Sequence, residues 1–320
     1  FAFVSINNAS NVVIDGLEFT VGRYIGLNIV SNNVTVKNCT VKNLSDRGIQ
    51  IVGSNNLVSN CIISDVNGGV TLSSNGSYKD NFQYGNSKVE NCKITNFSRR
   101  SLVYTTAISL SGAGNIAANN EMSGSYHMAV SVSGNDNIIQ GNEIYDVCKF
   151  ANDAAAIYMG RSWVNRGNKV IGNYIHDINP DPVWAKTIAV NAVFADDLFG
   201  NLTISGNIFE NIDGNAVKFN GGYDNVVTNN VFIDCKQRGI LPGGSVTIGR
   251  YGANATTKDN YILTVSCVDQ LNGLVSSGYF NSCWKDDEHS VDEIRNVPAD
   301  GDPDYYKGIE VSAIENFVLF

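Results

Sequence analysis

Asn119-Asn120-Glu121-Met122, Gly141-Asn142-Glu143-Ile144 and Gly172-Asn173-Tyr174-Ile175 are three statements of one phrase. The same phrase stands earlier as Asn38-Cys39-Thr40-Val41, Asn60-Cys61-Ile62-Ile63 and Asn91-Cys92-Lys93-Ile94, and later as Gly206-Asn207-Ile208-Phe209 and Asn229-Asn230-Val231-Phe232. Counted between first residues, the steps are 22, 31, 28, 22, 31, 34 and 23. An earlier copy is expected near Gly16 and a weaker later one at Asp259. Between the phrases runs a second element, a small residue followed by apolar, polar, apolar. Gly48-Ile49-Gln50-Ile51, Ala107-Ile108-Ser109-Leu110, Ala129-Val130-Ser131-Val132, Ala156-Ile157-Tyr158-Met159, Ala192-Val193-Phe194-Ala195 and Ala216-Val217-Lys218-Phe219 are its copies. A period of two is the mark of a strand with one buried face.

A unit of this length has room for about three short strands. One such coil cannot bury its apolar face alone, whereas a stack of coils can, and stacking also supplies the backbone partners. The fold class expected is all-β, a right-handed parallel β-helix solenoid. Asn tolerates left-handed backbone at tight corners, and its amide can bond along a stack. Cys39, Cys61 and Cys92 share one register and read as a reduced internal ladder of small buried side chains. A leucine-rich solenoid would need a Leu-x-x-Leu-x-Leu signature, which is missing. A propeller would need blades of ~40–45 residues. The repeat places the helix over residues 1–242, with 243–320 as its continuation or C-terminal cap.

Composition sets outer limits. The 320 residues are 43% hydrophobic and 17% charged, which excludes a disordered chain. Apolar runs are too short to span a membrane. A net charge of −9 argues against nucleic acid and leaves a carbohydrate substrate open. Seven cysteines with no CxxC pair suggest neither a disulfide framework nor a zinc site. The chain opens on Phe1, which reads as a processed protein or an excised domain. The location expected is secreted or periplasmic. No cofactor is expected. Asp300, Asp302 and Asp304 begin like a structural calcium loop but lack the later acidic ligand, so a solvated acidic turn is the preferred reading.

A step of 22 is the bare coil, and longer units carry insertions that often form a binding face. The excess falls at residues 67–85, 97–105, 147–155 and 178–189. All four are expected at one corner, walling a groove. Parity points Gln50, Ser109, Ser131, Tyr158, Phe194 and Lys218 outward in one column, with Val52, Ser111, Ser133, Gly160, Asp196 and Asn220 in the next. Polar and aromatic groups concentrate in the last three coils. Asp153, in the turn before Ala156, and Asp196, one coil on, form an acid/base or acid/nucleophile pair in this reading. Corner capping by Asp153 and solvation of Asp196 and Asp197 is the competing one. Arg161 and Trp163 are placed to hold a sugar by paired hydrogen bonds and ring stacking, and Trp184 is a candidate platform. His127 precedes a strand much as Asp153 does and is expected in the same groove. His176, after a tetrad, reads as structural.

The stretch from Asp153 to Trp163, with Arg166-Gly167-Asn168, resembles the Asp-x-Gly-Ala-Ile-Tyr-x-Gly-Arg-Asp-Trp segment of β-helix carbohydrate-active proteins. Ala192 to Asp197 is similar to their Val-Tyr-Leu-Asp-Asp. Gly221 to Val226 and Asn229 to Cys235 also resemble their motifs. Together these motifs resemble glycoside hydrolase family 141, an enzyme group with fucosidase and xylanase members. The resemblance covers residues 149–238 and implies a glycoside hydrolase using two aspartates, Asp153 and the Asp196/Asp197 doublet, with parity favouring Asp196. Ser162 stands where the family often has Asp, and Ala155 where it usually has Gly. Two other readings stay open. One is a polysaccharide lyase or epimerase, with Lys218 as base and Arg161 neutralising a uronate. The other is a non-catalytic sugar-binding solenoid.

Overall fold

The computed structural model describes residues 1–74, 83–151, 153–162, 164–183, 190–197, 199–220, 222–235, 238–241, 252–253, 256–258, 261–263 and 282–284. Every described element is a strand or a turn. Ten, ten and eleven strands form three parallel sheets, and each strand pairs with the one three places along the chain through nearly the whole stack. The architecture is thus a parallel β-helix solenoid. The first sheet holds the alternating strands, among them Arg47–Val52, Ile108–Ala113, Ala155–Gly160 and Asn191–Asp196. The third holds the tetrad strands, such as Lys93–Thr95, Glu121–Ser123, Glu143–Tyr145 and Tyr174–Ile178. Short strands such as Leu57–Ser59 and Ile116–Ala118 make the second.

Register follows from parity. Ile49 pairs with Val70, Val70 with Ile108, Ile108 with Val130, Val130 with Ile157, and Ile157 with Val193. All of these are buried. A one-residue slip would turn this column out to water, where each side chain would lose about 1.5–3 kcal/mol of burial.

The tetrads explain the corner between the second and third sheets. Their first residues, with Gly16 before them, all have φ between 51° and 68°. Only Gly, and Asn through its short polar side chain, visits that region routinely. The second residues form a continuous buried ladder. The Cys61 N–H meets the Cys92 thiol at 3.4 Å, and the Cys92 N–H donates to Asn120 Oδ1 at 3.0 Å. Asn120, Asn142, Asn173 and Asn207 each donate backbone N–H and side-chain amide to the Asn Oδ1 one coil on, all within 2.9–3.0 Å. Cys39, Cys61, Cys92, Cys148 and Cys235 are buried free thiols.

One expectation about the insertions fails. Residues 97–105, 147–155 and 178–189 do lie between a third-sheet strand and a first-sheet strand. The excess at 67–85 does not. Gly68–Ser73 is itself the first-sheet strand of that coil, so the extra chain follows it, at the corner with the second sheet. The Gly68-Gly69 pair opens that strand at a close approach, because a Cβ on Gly69 would lie 2.2 Å from the Ala107 carbonyl oxygen. Strands Thr256–Lys258, Tyr261–Leu263 and Ser282–Trp284 continue the second and third sheets. Tyr261 pairs with Val231, which puts a further coil where the last repeat was expected, although Asp259 itself lies outside the described residues.

Candidate functional site

The outward column of the first sheet runs Gln50, Thr71, Ser109, Ser131, Tyr158, Phe194, Lys218. Small hydroxyl and amide groups give way to a ring, a second ring and an ammonium over three coils. In the next column Gly160 pairs with Asp196.

Asp196 is the hub. It is only 8% exposed. Tyr158 donates its hydroxyl to Oδ2 at 2.8 Å, while Asn220 Nδ2 and the Asp197 N–H donate to Oδ1 at 2.7 and 2.8 Å. A buried carboxylate needs such donors, and three of them satisfy most of its acceptor capacity. Burial, and then the bond to Asp196, push the Tyr158 phenol well above the ordinary tyrosine range.

Asp153 is its opposite. Its side chain is 64% exposed, and it pairs with Lys218 Nζ at 3.2 Å. Its φ of 51° is the left-handed turn that an aspartate tolerates. Lys218 comes from two coils away and also lies 4.3 Å from the centre of the Phe194 ring. Arg161 Nε is 3.8 Å from Asp197 Oδ2, and its side chain is exposed. The contacts that join Asp153 to Asp196 therefore pass through Lys218, Phe194 and Tyr158.

Two expected groove residues are not on the groove surface. Phe194 is 1% exposed. The edge of Tyr158 meets it at 5.7 Å and the Lys218 ammonium caps its face, so it is a floor under charged groups, with no free face for a sugar. His127 is 6% exposed. Its Nδ1 accepts the Tyr104 N–H at 3.4 Å and its ring packs 5.3 Å from that of Tyr104, sealed by residues 97–105. Burial pulls its pKa down to about 4. Trp163 and Trp184 lie outside the described residues, as do Asp300, Asp302 and Asp304. Among the described residues no cluster of His, Cys, Asp or Glu is arranged to hold a metal ion, and no helix is long and apolar enough to cross a membrane.

A second polar cluster, on the third sheet, went unread in the sequence. Glu121, Glu143, Tyr145, Tyr174 and His176 all face outward there. Their signal was present as polar residues at the third position of successive tetrads and at the position just after each.

The right-handed beta helix region profile matches residues 2–114 and 106–267, more than half of the chain. The chain belongs to the right-handed β-helix family. No curated protein matches its sequence. Solved structures similar to it include one described as a glycoside hydrolase, at 15% identity and a TM-score of 0.46, covering 66% of this chain and 38% of that one. The pectate lyase Pel9A is 13% identical with a TM-score of 0.46, covering 81% and 68%. The catalytic unit of a GH87 α-1,3-glucanase from Streptomyces thermodiastaticus is 13% identical with a TM-score of 0.45, covering 79% and 60%. This β-helix thus spans well under half of the first of these chains and three fifths of the third. The likeness is one of fold.

Proposed function

We propose that this protein is a glycoside hydrolase whose substrate, a polysaccharide or oligosaccharide, lies along the first sheet over the Tyr158, Phe194 and Lys218 coils. The observation that carries the reading is the concentration of two carboxyl side chains, a phenol, an ammonium and an amide into two hydrogen-bonded groups that meet across the Phe194 ring, on a face otherwise lined with small polar groups. A neutral sugar needs donors and acceptors held rigidly, and a strand scaffold with in-register neighbours holds them so. The resemblance to glycoside hydrolase family 141 supports the choice of Asp153 and Asp196. Asp153, exposed and on an inserted turn, is the group that reaches the glycosidic oxygen. Asp196 is the second carboxyl, and Tyr158 and Asn220 fix its orientation. Arg161 and Asp197 hold the sugar at the rim.

The test is digestion of a broad glycan panel with product analysis. The wild-type protein should release shorter sugars, and Asp153→Asn should cut the rate by about 10²–10⁴-fold, the share usual for a positioned acid or base. Full activity in that variant would reject the assignment.

A second reading draws on the two cations. Lys218 and Arg161 at one trough are the groups that a lyase or epimerase acting on a uronic acid would use, as base and as carboxylate partner. A lyase leaves an unsaturated product that absorbs in the ultraviolet, and a hydrolase does not.

A further inference from the structure

The third sheet and its corner with the second carry a different arrangement. Glu121 and Glu143 occupy paired positions on adjacent strands, so their side chains leave the sheet one strand spacing apart, about 4.8 Å. They open on a cavity of about 610 Å³ that is also lined by Lys93 and by the corner residues Asn91, Asn119 and Gly141. The corner changes from Asn to Gly at Gly141, which lines the cavity together with Glu143. Glu121 is held by the Lys93 ammonium and by the Tyr145 hydroxyl, both at 2.7 Å. Glu143 meets His176 Nε2 at 3.4 Å and lines the cavity. Beside it stands a stack of three rings. His176 lies between Tyr174 at 4.1 Å and Tyr145 at 5.0 Å, with planes within 20°. Asp177 fixes the other ring nitrogen of His176 at 2.8 Å, and Glu210 accepts the Tyr174 hydroxyl.

We infer that this corner groove is a second carbohydrate-binding site, selective for sugars that carry a free amine. Three features converge on that class. The volume suits one or two sugar rings. Carboxylate oxygens with open lone pairs accept from hydroxyls and from an ammonium. The face is acidic, since its one lysine is already spent on Glu121, so a uronate finds no free cation while a protonated amine finds Glu143, with the tyrosine rings next to it. The site shares no residue with the first-sheet trough and does not rest on the hydrolase reading.

Isothermal titration of the full chain with a glucosamine trimer tests this, with a glucose trimer and a galacturonate trimer as comparisons. The glucosamine trimer should bind, the glucose trimer at least about tenfold more weakly, and the galacturonate trimer not at all. Glu143→Gln, nearly identical in shape, should weaken the glucosamine trimer about tenfold, and Glu121→Gln should weaken it too. Asp153→Asn should leave that affinity unchanged, and circular dichroism should show all variants folded. Absence of binding at millimolar trimer would overturn the inference. So would equal affinity for the glucose trimer, or binding lost in Asp153→Asn and retained in Glu143→Gln, which would move the ligand to the first sheet and leave the hydrolase reading standing.

Discussion

Tyr158 donates its phenol to Asp196 across a single coil-to-coil step, at 2.8 Å, and this bond ties the outward column to its neighbour. Asp196→Ala would strand the Tyr158 hydroxyl, the Asn220 amide and the Asp197 N–H in a nearly closed site, at a cost of about 3 kcal/mol. Asp196→Asn keeps an acceptor for the Asp197 N–H, and the tyrosine hydroxyl can turn to accept, so its cost is within about 1 kcal/mol. Urea denaturation separates the two. The same Asn variant should bring the Tyr158 phenol part of the way back toward the ordinary range, because burial, the larger cause of its elevation, remains. Ultraviolet difference titration reads that shift.

Gly160 is paired with Asp196 and makes room for it. A Cβ there would stand 2.9 Å from the Asp196 Cβ and 3.0 Å from its carbonyl oxygen. Gly160→Ala should therefore displace Asp196. Hydrolysis is expected to fall at least tenfold, about 1.4 kcal/mol of barrier, with a smaller change in unfolding midpoint. Unchanged turnover in this variant would mean that the position of Asp196 does not matter to the reaction.

His127 gives the fold an acid-sensitive point. Its folded pKa is about 4, against an ordinary 6.5, and burial is the cause. The unfolded chain binds a proton below pH 6.5 that the folded chain refuses until about pH 4. Stability from this residue is complete above 6.5 and is lost as the pH falls through that window, by about 3 kcal/mol at most. Urea midpoints at pH 7 and 4.5 should differ more in the wild type than in His127→Gln.

The amide ladder should be costly to break and tolerant of extension. Asn142 accepts two bonds from Asn120 and donates to Asn173 Oδ1 and the Ala117 carbonyl. Asn142→Ala leaves those partners buried without it and should cost about 3 kcal/mol in urea unfolding. Cys92→Asn places at one coil the residue the next five coils already use, and should change stability by less than about 1 kcal/mol.

Repetition made the architecture legible. A left-handed corner at every tetrad selects Asn or Gly, and a half-buried strand writes its parity in alternate residues, so stacking order, facing and the cysteine ladder could all be read from the chain. The site was legible only in part. Parity put Phe194 outward, and it does point that way, but a lysine from the next coil covers it, which no local pattern records. His127 was hidden by the fold of residues 97–105 over it. The insertion after Ser73 was placed on the wrong corner because the first-sheet strand Gly68–Ser73 lies inside the span read as extra chain. The polar cluster of the third sheet was not legible, because Glu121–Ser123 and Glu143–Tyr145 are three residues long and each shows few outward positions.

The ladder has a consequence for how such a chain changes length. Ile108 pairs with Val130, and the residues from Ile108 to Ala129 make one bare coil. Excising that segment would set Val130 against Val70, as Ile108 is now, and Asn142 beneath Cys92, where Asn120 now accepts the Cys92 N–H. Whole turns can therefore be gained or lost by duplication or deletion without redesign of the interior, and the rod grows or shortens in steps fixed by the backbone itself.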